Sequence, residues 1–297
     1  MKYTFKQFQA EYPDDAACLR KIMDERYGGT KFVCPGCGVE AQFHPMGKRR
    51  AFACQECGHH IYPCAGSIFH KSSTKLTHWF FAMYLMTSTR HGVAAKELER
   101  QIGCTYKCAW RIAHELRKLM ANADYHGPMK GHVEIDETFV GGKPRLGQPR
   151  KGKDGRGTHK AVVFGMVERK GIIRAGTVAN TKQSTLEPII LTNVQRGSTI
   201  STDEWGAYND LKNAPYKHGT VKHIDKEYVR GIHHVNTLEG HWARLKCSIR
   251  GTHVHVSKKH LWKYISEFSY RRNMRHSHKA MFTRLVEAFS LPRLQDA

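Results

Sequence analysis

Two cysteine pairs, Cys34-Pro35-Gly36-Cys37 and Cys54-Gln55-Glu56-Cys57, stand with sixteen residues between them. Zinc takes four soft ligands in a tetrahedron, and each CxxC turn presents two thiolates to one ion. Gly38 and Gly58 follow the pairs and suit the tight knuckle. Gln42-Phe43-His44 and Arg50-Ala51-Phe52-Ala53 read as short strands between them. Residues 31–70 are therefore expected to form a zinc ribbon, with one structural Zn²⁺ on Cys34, Cys37, Cys54 and Cys57. Four unrelated thiols would not keep this spacing. His59, His60 and Cys64 break it and are read as bystanders. Nine cysteines, unevenly clustered, fit a reducing cytosol with metal binding better than a disulfide framework.

The charge of the chain names a partner class. Its 48 Lys+Arg against 26 Asp+Glu give a formal net charge of +22, which points to a polyanion, most simply nucleic acid. A membrane-surface binder would not need this aromatic and core-forming content. No run of about 18 apolar residues exists, and Met1-Lys2-Tyr3-Thr4-Phe5-Lys6 lacks an apolar signal core. A cytoplasmic protein with no membrane partner is expected. Lys48, Arg49 and Arg50 in the ribbon loops could touch DNA backbone or simply be solvated.

The ribbon is flanked by helical patterns. Residues 1–30 form an N-terminal helical segment: Pro13, Asp14 and Asp15 make a helix start, Ala17, Cys18, Leu19, Ile22 and Met23 an apolar side, and Gly28-Gly29 a stop. Residues 74–123 read as three helices, about Leu76–Thr87, Val93–Ile102 and Thr105–Met120. Thr105 is a suitable N-cap. The last two, joined across Gly103, have the outline of a helix-turn-helix. Ala109, Ile112, Ala113, Leu116 and Met120 share one face of the third helix, leaving Tyr106, Lys107, Arg111, His114, Arg117 and Lys118 outside. Such a helix enters the major groove by its N-terminal end, here Thr105, Tyr106, Lys107 and Arg111. The competing reading is a helical linker with a solvated basic face.

From 130 to 275 the pattern changes to mixed α/β. Val133, Ile135, Phe139 and Val140 alternate with polar residues in a strand that ends at Gly141-Gly142. Alternation puts Glu134 and Asp136 on one face and Glu137 on the other; all three could simply be wet. The Gly-, Pro- and Lys/Arg-rich stretch 143–160, with Lys151, Lys153 and Arg156, is expected as a mobile basic loop that clamps DNA backbone, or a solvated hairpin tip. Strands at Ala161–Val167 and Ile172–Val178 complete a meander. A helix at Ser184–Gln195 follows, then a strand at Ser198–Trp205, a short strand at Val221–Ile224, and helices at Asn236–Ile249 and Lys258–Met274. Residues 276–297 are read as a tail, and Leu291–Ala297 carries no legible signal.

Three strands, a helix, a fourth strand, a short fifth and then helices is the order of an RNase H-like domain, in which the first and fourth strands lie side by side. Asp136 in the first and Asp203 at the end of the fourth can then meet, with Glu239 early in a helix packed on the sheet. Two Mg²⁺ (or Mn²⁺) ions about 3.5–4 Å apart serve phosphoryl transfer by activating the attacking oxygen and stabilising the leaving one. Asp136 would bridge both ions, Asp203 would hold one, and Glu239 the other. Asn236, three residues before Glu239 on the same helix face, is its rival. Lys246, two turns past Glu239, could hold a phosphate oxygen, and Arg250 follows it by four. Glu137 and Glu204 point across their strands and are read as solvated or salt-bridged.

At this point a resemblance covers residues from about 14 to 275. The two CxxC pairs, Thr105–Arg111, Ile135-Asp136-Glu137-Thr138, Thr202–Tyr208, Val229-Arg230-Gly231, Asn236–Trp242, Lys246 and Gly251-Thr252-His253, in this order, resemble the ISXO-type zinc-ribbon DDE transposases of bacterial insertion sequences. The resemblance implies cutting or copying of an element with short inverted terminal repeats, using Mg²⁺ and no covalent protein–DNA intermediate. Related elements carry either an acid or Asn as the third catalytic residue. The expectation is a transposase whose ribbon and helix-turn-helix bind element ends. Its catalytic domain would free 3′-OH ends and join them to target DNA, in a homodimer or larger synaptic complex. The alternatives are a zinc-dependent DNA-binding regulator with an inactive domain and a structure-specific RNase H-like nuclease.

Overall fold

The computed structural model describes residues 2–124, 126–141 and 159–290, with Lys212 described by its backbone alone. The chain forms two compact units: residues 1–123 with 274–297, and residues 124–273.

The first unit opens with α1 (Phe5–Glu11), started by a reciprocal capping box between Thr4 and Gln7. Helix α2 (Asp15–Tyr27) follows, capped by the Asp14 side chain on the Ala17 N–H and ended by Gly28 in the left-handed conformation. An antiparallel four-stranded sheet comes next: β1 (Lys31–Val33), β2 (Glu40–Pro45), β3 (Phe52–Cys54) and β4 (His60–Ile61), in sequential order. Three helices complete this stretch: α3 (Leu76–Ser88), α4 (Ala95–Ile102) and α5 (Tyr106–Ala123). Gly103, left-handed, ends α4 and lets the chain turn into α5.

Helix α3 has no side-chain cap of its own. Asp15 supplies one from α2: its carboxylate accepts the Leu76 and Thr77 N–H groups at 3.0 and 2.9 Å and the Thr77 hydroxyl at 2.9 Å. Burial alone would raise the Asp15 carboxyl, but these donors and nearby Arg50 outweigh it and hold it below its ordinary value.

Two basic residues read as lying outside α5 are buried. His114 stacks on the Trp110 ring at 3.8 Å, and Arg117 donates to the Val93 carbonyl at 3.4 Å. The long side chain of Arg117 reaches a backbone acceptor from a position that the polar identity alone assigns to solvent.

The second unit is a mixed α/β layer structure. Its strands are β5 (His132–Val140), β6 (Ala161–Glu168), β7 (Ile173–Val178), β8 (Thr199–Thr202) and β9 (Lys217–Thr220), with helix α6 (Gln183–Asn193) before β8. The sheet order is β7-β6-β5-β8-β9. β5, β6 and β7 are antiparallel neighbours, while β8 is parallel to β5 and β9 to β8. The last strand falls four residues before the expected Val221–Ile224, and residues 223–225 form a short 3-10 turn instead. Helices α7 (Asn236–Ser248) and α8 (Lys258–Asn273) follow, α7 running into a π-turn at Ile249–His253.

Each sheet face has its own core. Val133, Ile135, Phe164, Met166 and Ile200 pack with Leu186 and Ile190 of α6 and with Tyr208 and Leu211. On the other face Val163, Val167 and Ile173 pack with Leu238, Trp242 and Leu245 of α7 and with Leu261 and Ile265 of α8.

The stretch 276–297, expected as a tail, contains helix α9 (His278–Glu287), which belongs to the first unit. Ser277 caps it, and Met281, Phe282, Leu285 and Val286 form a buried stripe. Phe282 meets the rings of Tyr3, Phe8 and Tyr12.

The remote cap on α3 gives a stability prediction. Asp15→Ala should cost about 1–2 kcal/mol, the upper range for loss of a helix cap, read from the denaturant midpoint. Because the Asp15 carboxyl is held low, the difference should persist above pH 4 and shrink as pH falls through its folded value. An unchanged midpoint at pH 7 would contradict the role.

Candidate active site

β5 carries the acids, and its alternation decides what each one meets. Val133 and Ile135 point into the α6-side core, so Glu134 and Asp136 point to the α7 side. Glu134 is fully buried, not wet. Its carboxylate accepts the Thr237 N–H at 2.9 Å, the Leu238 N–H at 3.3 Å and the Thr237 hydroxyl at 2.9 Å. Arg169 Nε donates to it at 3.0 Å, and His234 Nδ1 stands 3.2 Å away. A buried anion here is tolerable because it sits at the positive end of α7 and its lone pairs are filled. Glu134 thus caps α7 from the sheet, a role the sequence reading missed. The signal available was its in-phase spacing with Asp136 between the apolar Val133 and Ile135.

Two residues on, Asp136 lies half-buried on the same face. Trp242 of α7 donates its indole N–H to Asp136 Oδ2 at 3.0 Å. Gly165, the β6 partner of Asp136, makes room for that indole: a Cβ there would stand 2.6 Å from the ring. This is a close approach that requires glycine.

Asp203 arrives from the neighbouring parallel strand. The register pairs Glu134 with Ser201, and two residues further along each strand come Asp136 and Asp203. Asp203 follows the last residue of β8 and accepts the Trp205 N–H at 3.0 Å, which fixes its carboxylate at the strand end. Burial first, and then the charges of Glu137 and Asp203, push the Asp136 carboxyl up to about 8 from an ordinary 3.8, against the pull of the Trp242 N–H. Asp136 and Asp203 therefore share one electrostatic pocket, with the Lys246 ammonium within reach of Asp136. Such a donor set fits a hard divalent ion.

The remaining candidates divide. Lys246, one turn beyond Trp242 on α7, is half-buried; burial draws its ammonium below its ordinary value while Asp136 acts to raise it. It lies within electrostatic reach of the acid. Glu239 is exposed in the first turn of α7, with Oε1 3.7 Å from His223 Nδ1. Asn236, the first residue of α7, is also exposed. Among the described residues, Asp136, Asp203 and Glu239 do not close into a set with ligand atoms all within 4.8 Å. Two ions side by side do not require that closure, since the outer carboxylates then face different ions. Glu137, read as solvated or salt-bridged, is instead buried and accepts the Tyr208 hydroxyl at 2.6 Å. Glu204 accepts the His223 and Ile224 N–H groups, which hold its carboxyl low against burial.

In the first unit the four ribbon cysteines do close: their sulfurs all lie within 4.8 Å of one another. Cys34 Sγ and Cys57 Sγ are 3.7 Å apart, matching the edge of a zinc–thiolate tetrahedron with bonds of about 2.3 Å. The set fits a structural Zn²⁺. On α5, Tyr106 and Lys107 are exposed, and the Thr105 hydroxyl accepts the Cys108 N–H at 3.3 Å as an N-cap. Arg111 is also exposed, but its guanidinium donates to Ser72 Oγ at 3.1 Å and lies over the Trp79 ring. Lys151, Lys153 and Arg156 lie outside the described residues.

Comparison with known proteins agrees with this division. Residues 128–273 match the family model of the ISXO2-like transposase domain, and residues 13–60 that of the transposase zinc-ribbon domain. The chain is similar to an uncharacterized protein in transposable element ISH50 of Halobacterium salinarum. The two are 32% identical over 260 residues, which cover 81% of this chain and 85% of that protein. The chain belongs to the ISXO2-like zinc-ribbon transposases. No helix among the described residues is long and apolar enough to cross a membrane.

Two outcomes test this geometry. Glu134→Gln keeps the shape of the cap but removes its charge beside Arg169; it should destabilise by about 3 kcal/mol, as when one partner of a buried pair is lost. A denaturant midpoint within error of the parent would contradict the docking role. Asp136→Asn should do the opposite in metal-free buffer. A raised carboxyl costs folding free energy increasingly as pH climbs from its ordinary value of 3.8 toward about 8. The variant should therefore gain stability over the parent, by at least ~1 kcal/mol at pH 8 and by little at pH 4. A gain independent of pH, or none, would contradict the repulsion.

Proposed function

We propose that the chain is a DDE-type transposase. The reading is that it binds the terminal inverted repeats of an insertion sequence, cleaves strands to free 3′-OH ends, and joins those ends to target DNA. The observation that carries it is the approach of Asp136 and Asp203 from parallel neighbouring strands, close enough for the Asp203 charge to push the Asp136 carboxyl up. The sheet order supports assigning the second unit to the RNase H-like architecture.

Asp136 and Asp203, completed by Glu239 or Asn236, would hold a pair of Mg²⁺ (or Mn²⁺) ions. Such ions would supply charge neutralisation at the phosphate that water, and later the 3′-OH, attacks. Trp242 fixes the orientation of the Asp136 carboxylate through its indole N–H. Glu134 fixes α7, and with it Trp242, Asn236, Glu239 and Lys246. Lys246 offers its ammonium to a phosphate oxygen beside Asp136. The Glu239 carboxylate, 3.7 Å from His223 Nδ1, would turn from it to reach such an ion.

In this reading α4 and α5 act as a helix-turn-helix. Thr105, Tyr106 and Lys107 meet the major groove, and Arg111 joins them after leaving Ser72. The zinc ribbon braces that unit against element ends. Arg250, with Lys151, Lys153 and Arg156, contacts DNA backbone, consistent with the net charge of +22. Two ends must be held at once, so a homodimer or larger synaptic complex is the working form, in the cytoplasm at the nucleoid.

The test uses the zinc-loaded protein and a labelled duplex carrying the element's own terminal repeat. Mg²⁺ should support 3′-OH release and strand joining, whereas Ca²⁺ should support binding alone. Asp136→Asn should lower cleavage by about 10³-fold or more, as expected when a metal-holding carboxylate is lost, and leave end binding intact. Full cleavage by that variant would overturn the assignment. Cleavage of branched DNA without joining would favour a nuclease, and binding without any cleavage a regulator.

A further inference from the structure

Beyond Asp136, β5 runs into a cavity of about 320 Å³, of whose lining the chemistry above uses only Lys246 and Arg250. Phe139, Val140 and Ile249 give it apolar walls, and Lys160, Lys246 and Arg250 bring positive charge; among the described residues no acidic one lines it. The volume is at the lower end of the ~300–1,000 Å³ usual for small-molecule pockets. Lys160 and Arg250 both bear on the Lys246 ammonium, and so does Asp136, so Lys246 is common to the cavity lining and to the surroundings of Asp136.

A second and independent feature stands in the lining. Val254 follows the π-turn with φ +61° and ψ −56°, and the His255 N–H donates across it to the His253 carbonyl at 2.6 Å. This is a γ-turn of the rare, strained, positive-φ kind, and a β-branched residue in it is an outlier. Burial does not repay the strain, because Val254 is 80% exposed. The turn is held from both sides, by α7 before it and by Val256, which packs on the α7–α8 core. Strain kept in this way gathers at sites that clamp ligands. Its effect here is to present a short, rigid apolar side chain at a cationic cavity.

We propose that this cavity receives one unpaired nucleotide of the DNA strand that crosses the Asp136–Asp203 pocket, and that Val254 is the wedge that separates its base from the stack. The proposal rests on the transposase reading. Apolar walls suit the faces of a base, and the cations suit its flanking phosphates. Apolar side chains between base steps are a general means of opening a duplex. Phe139 lies three residues past Asp136, ~10 Å along the strand. That spans roughly three stacked bases at 3.4 Å each, so the displaced nucleotide lies within about three positions of the cut bond.

The test again uses full-length, zinc-loaded protein in Ca²⁺. The duplexes carry the element's terminal repeat with a single 2-aminopurine at successive positions around the cleavage point. Fluorescence should rise about threefold or more at one position on binding, as for an unstacked base. Val254→Gly should abolish most of that rise, and Val254→Met should keep it. Glycine accepts this backbone without strain, so its melting temperature should not fall below that of the parent. In Mg²⁺, Val254→Gly should cut the paired duplex about tenfold more slowly, yet come within about twofold of the parent on a duplex with a mismatch at the responsive position. No fluorescence rise at any position in bound complexes would overturn the proposal. So would an undiminished rise in Val254→Gly, or equal slowing on both duplexes. A protein that raises the signal but never cuts in Mg²⁺ would sink the transposase reading and leave the pocket standing. One that cuts with no signal would sink the pocket alone.

Discussion

The second unit depends on one buried anion. Glu134 is closed off from water, and four donors hold it: two backbone N–H groups and a hydroxyl at the start of α7, and Arg169 from the turn after β6. Isolated, such a charge would cost several kcal/mol to bury. Here it completes the unsatisfied end of a helix and aligns with the helix dipole. The contact joins residues 103 apart in sequence. It sets the axial position of α7 on the sheet, and so determines which α7 residues come opposite Asp136.

The site beside it has the reverse electrostatics. Glu134 is over-supplied with donors, whereas Asp136 is crowded by burial and by other carboxyls, with the Trp242 indole N–H and the Glu137 backbone N–H pulling the other way. Two acids, two residues apart on one strand face, thus meet opposite surroundings: one is ringed by donors, the other is pushed up by burial and neighbouring carboxyls. Gly165 makes the contrast possible by letting Trp242 lie against the sheet at the one place where its N–H reaches Asp136.

Much of this was legible in the sequence, for identifiable reasons. Cysteine spacing is a local signal with a geometric consequence, and the four sulfurs do gather. The order of strands and helices carried the adjacency of β5 and β8, because parallel neighbours need a crossover such as α6 between them. What was not legible depended on partners rather than pattern. Alternation put Glu134 on a face but could not show that a helix end would meet it. His114 and Arg117 are polar by identity and buried by reach. The last strand, Lys217-His218-Gly219-Thr220, lacks the apolar alternation on which strand recognition relies, whereas the neighbouring Val221–Ile224 begins and ends on apolar residues. Helix α9 was lost because a short amphipathic stripe near a chain end, after a run of basic residues, reads easily as a solvated tail. The direction of the Glu239 side chain, toward His223, is a rotamer fact that no spacing encodes.

The account stands on Asp136 and Asp203 being held together for a divalent ion. The most direct measurement is anomalous diffraction from crystals of the protein bound to its element end and loaded with Mn²⁺. The account predicts manganese density bridged to the Asp136 carboxylate and shared with Asp203, with Glu239 or Asn236 as a further ligand. Ordered DNA at the site with the two carboxylates apart and no metal between them would contradict it.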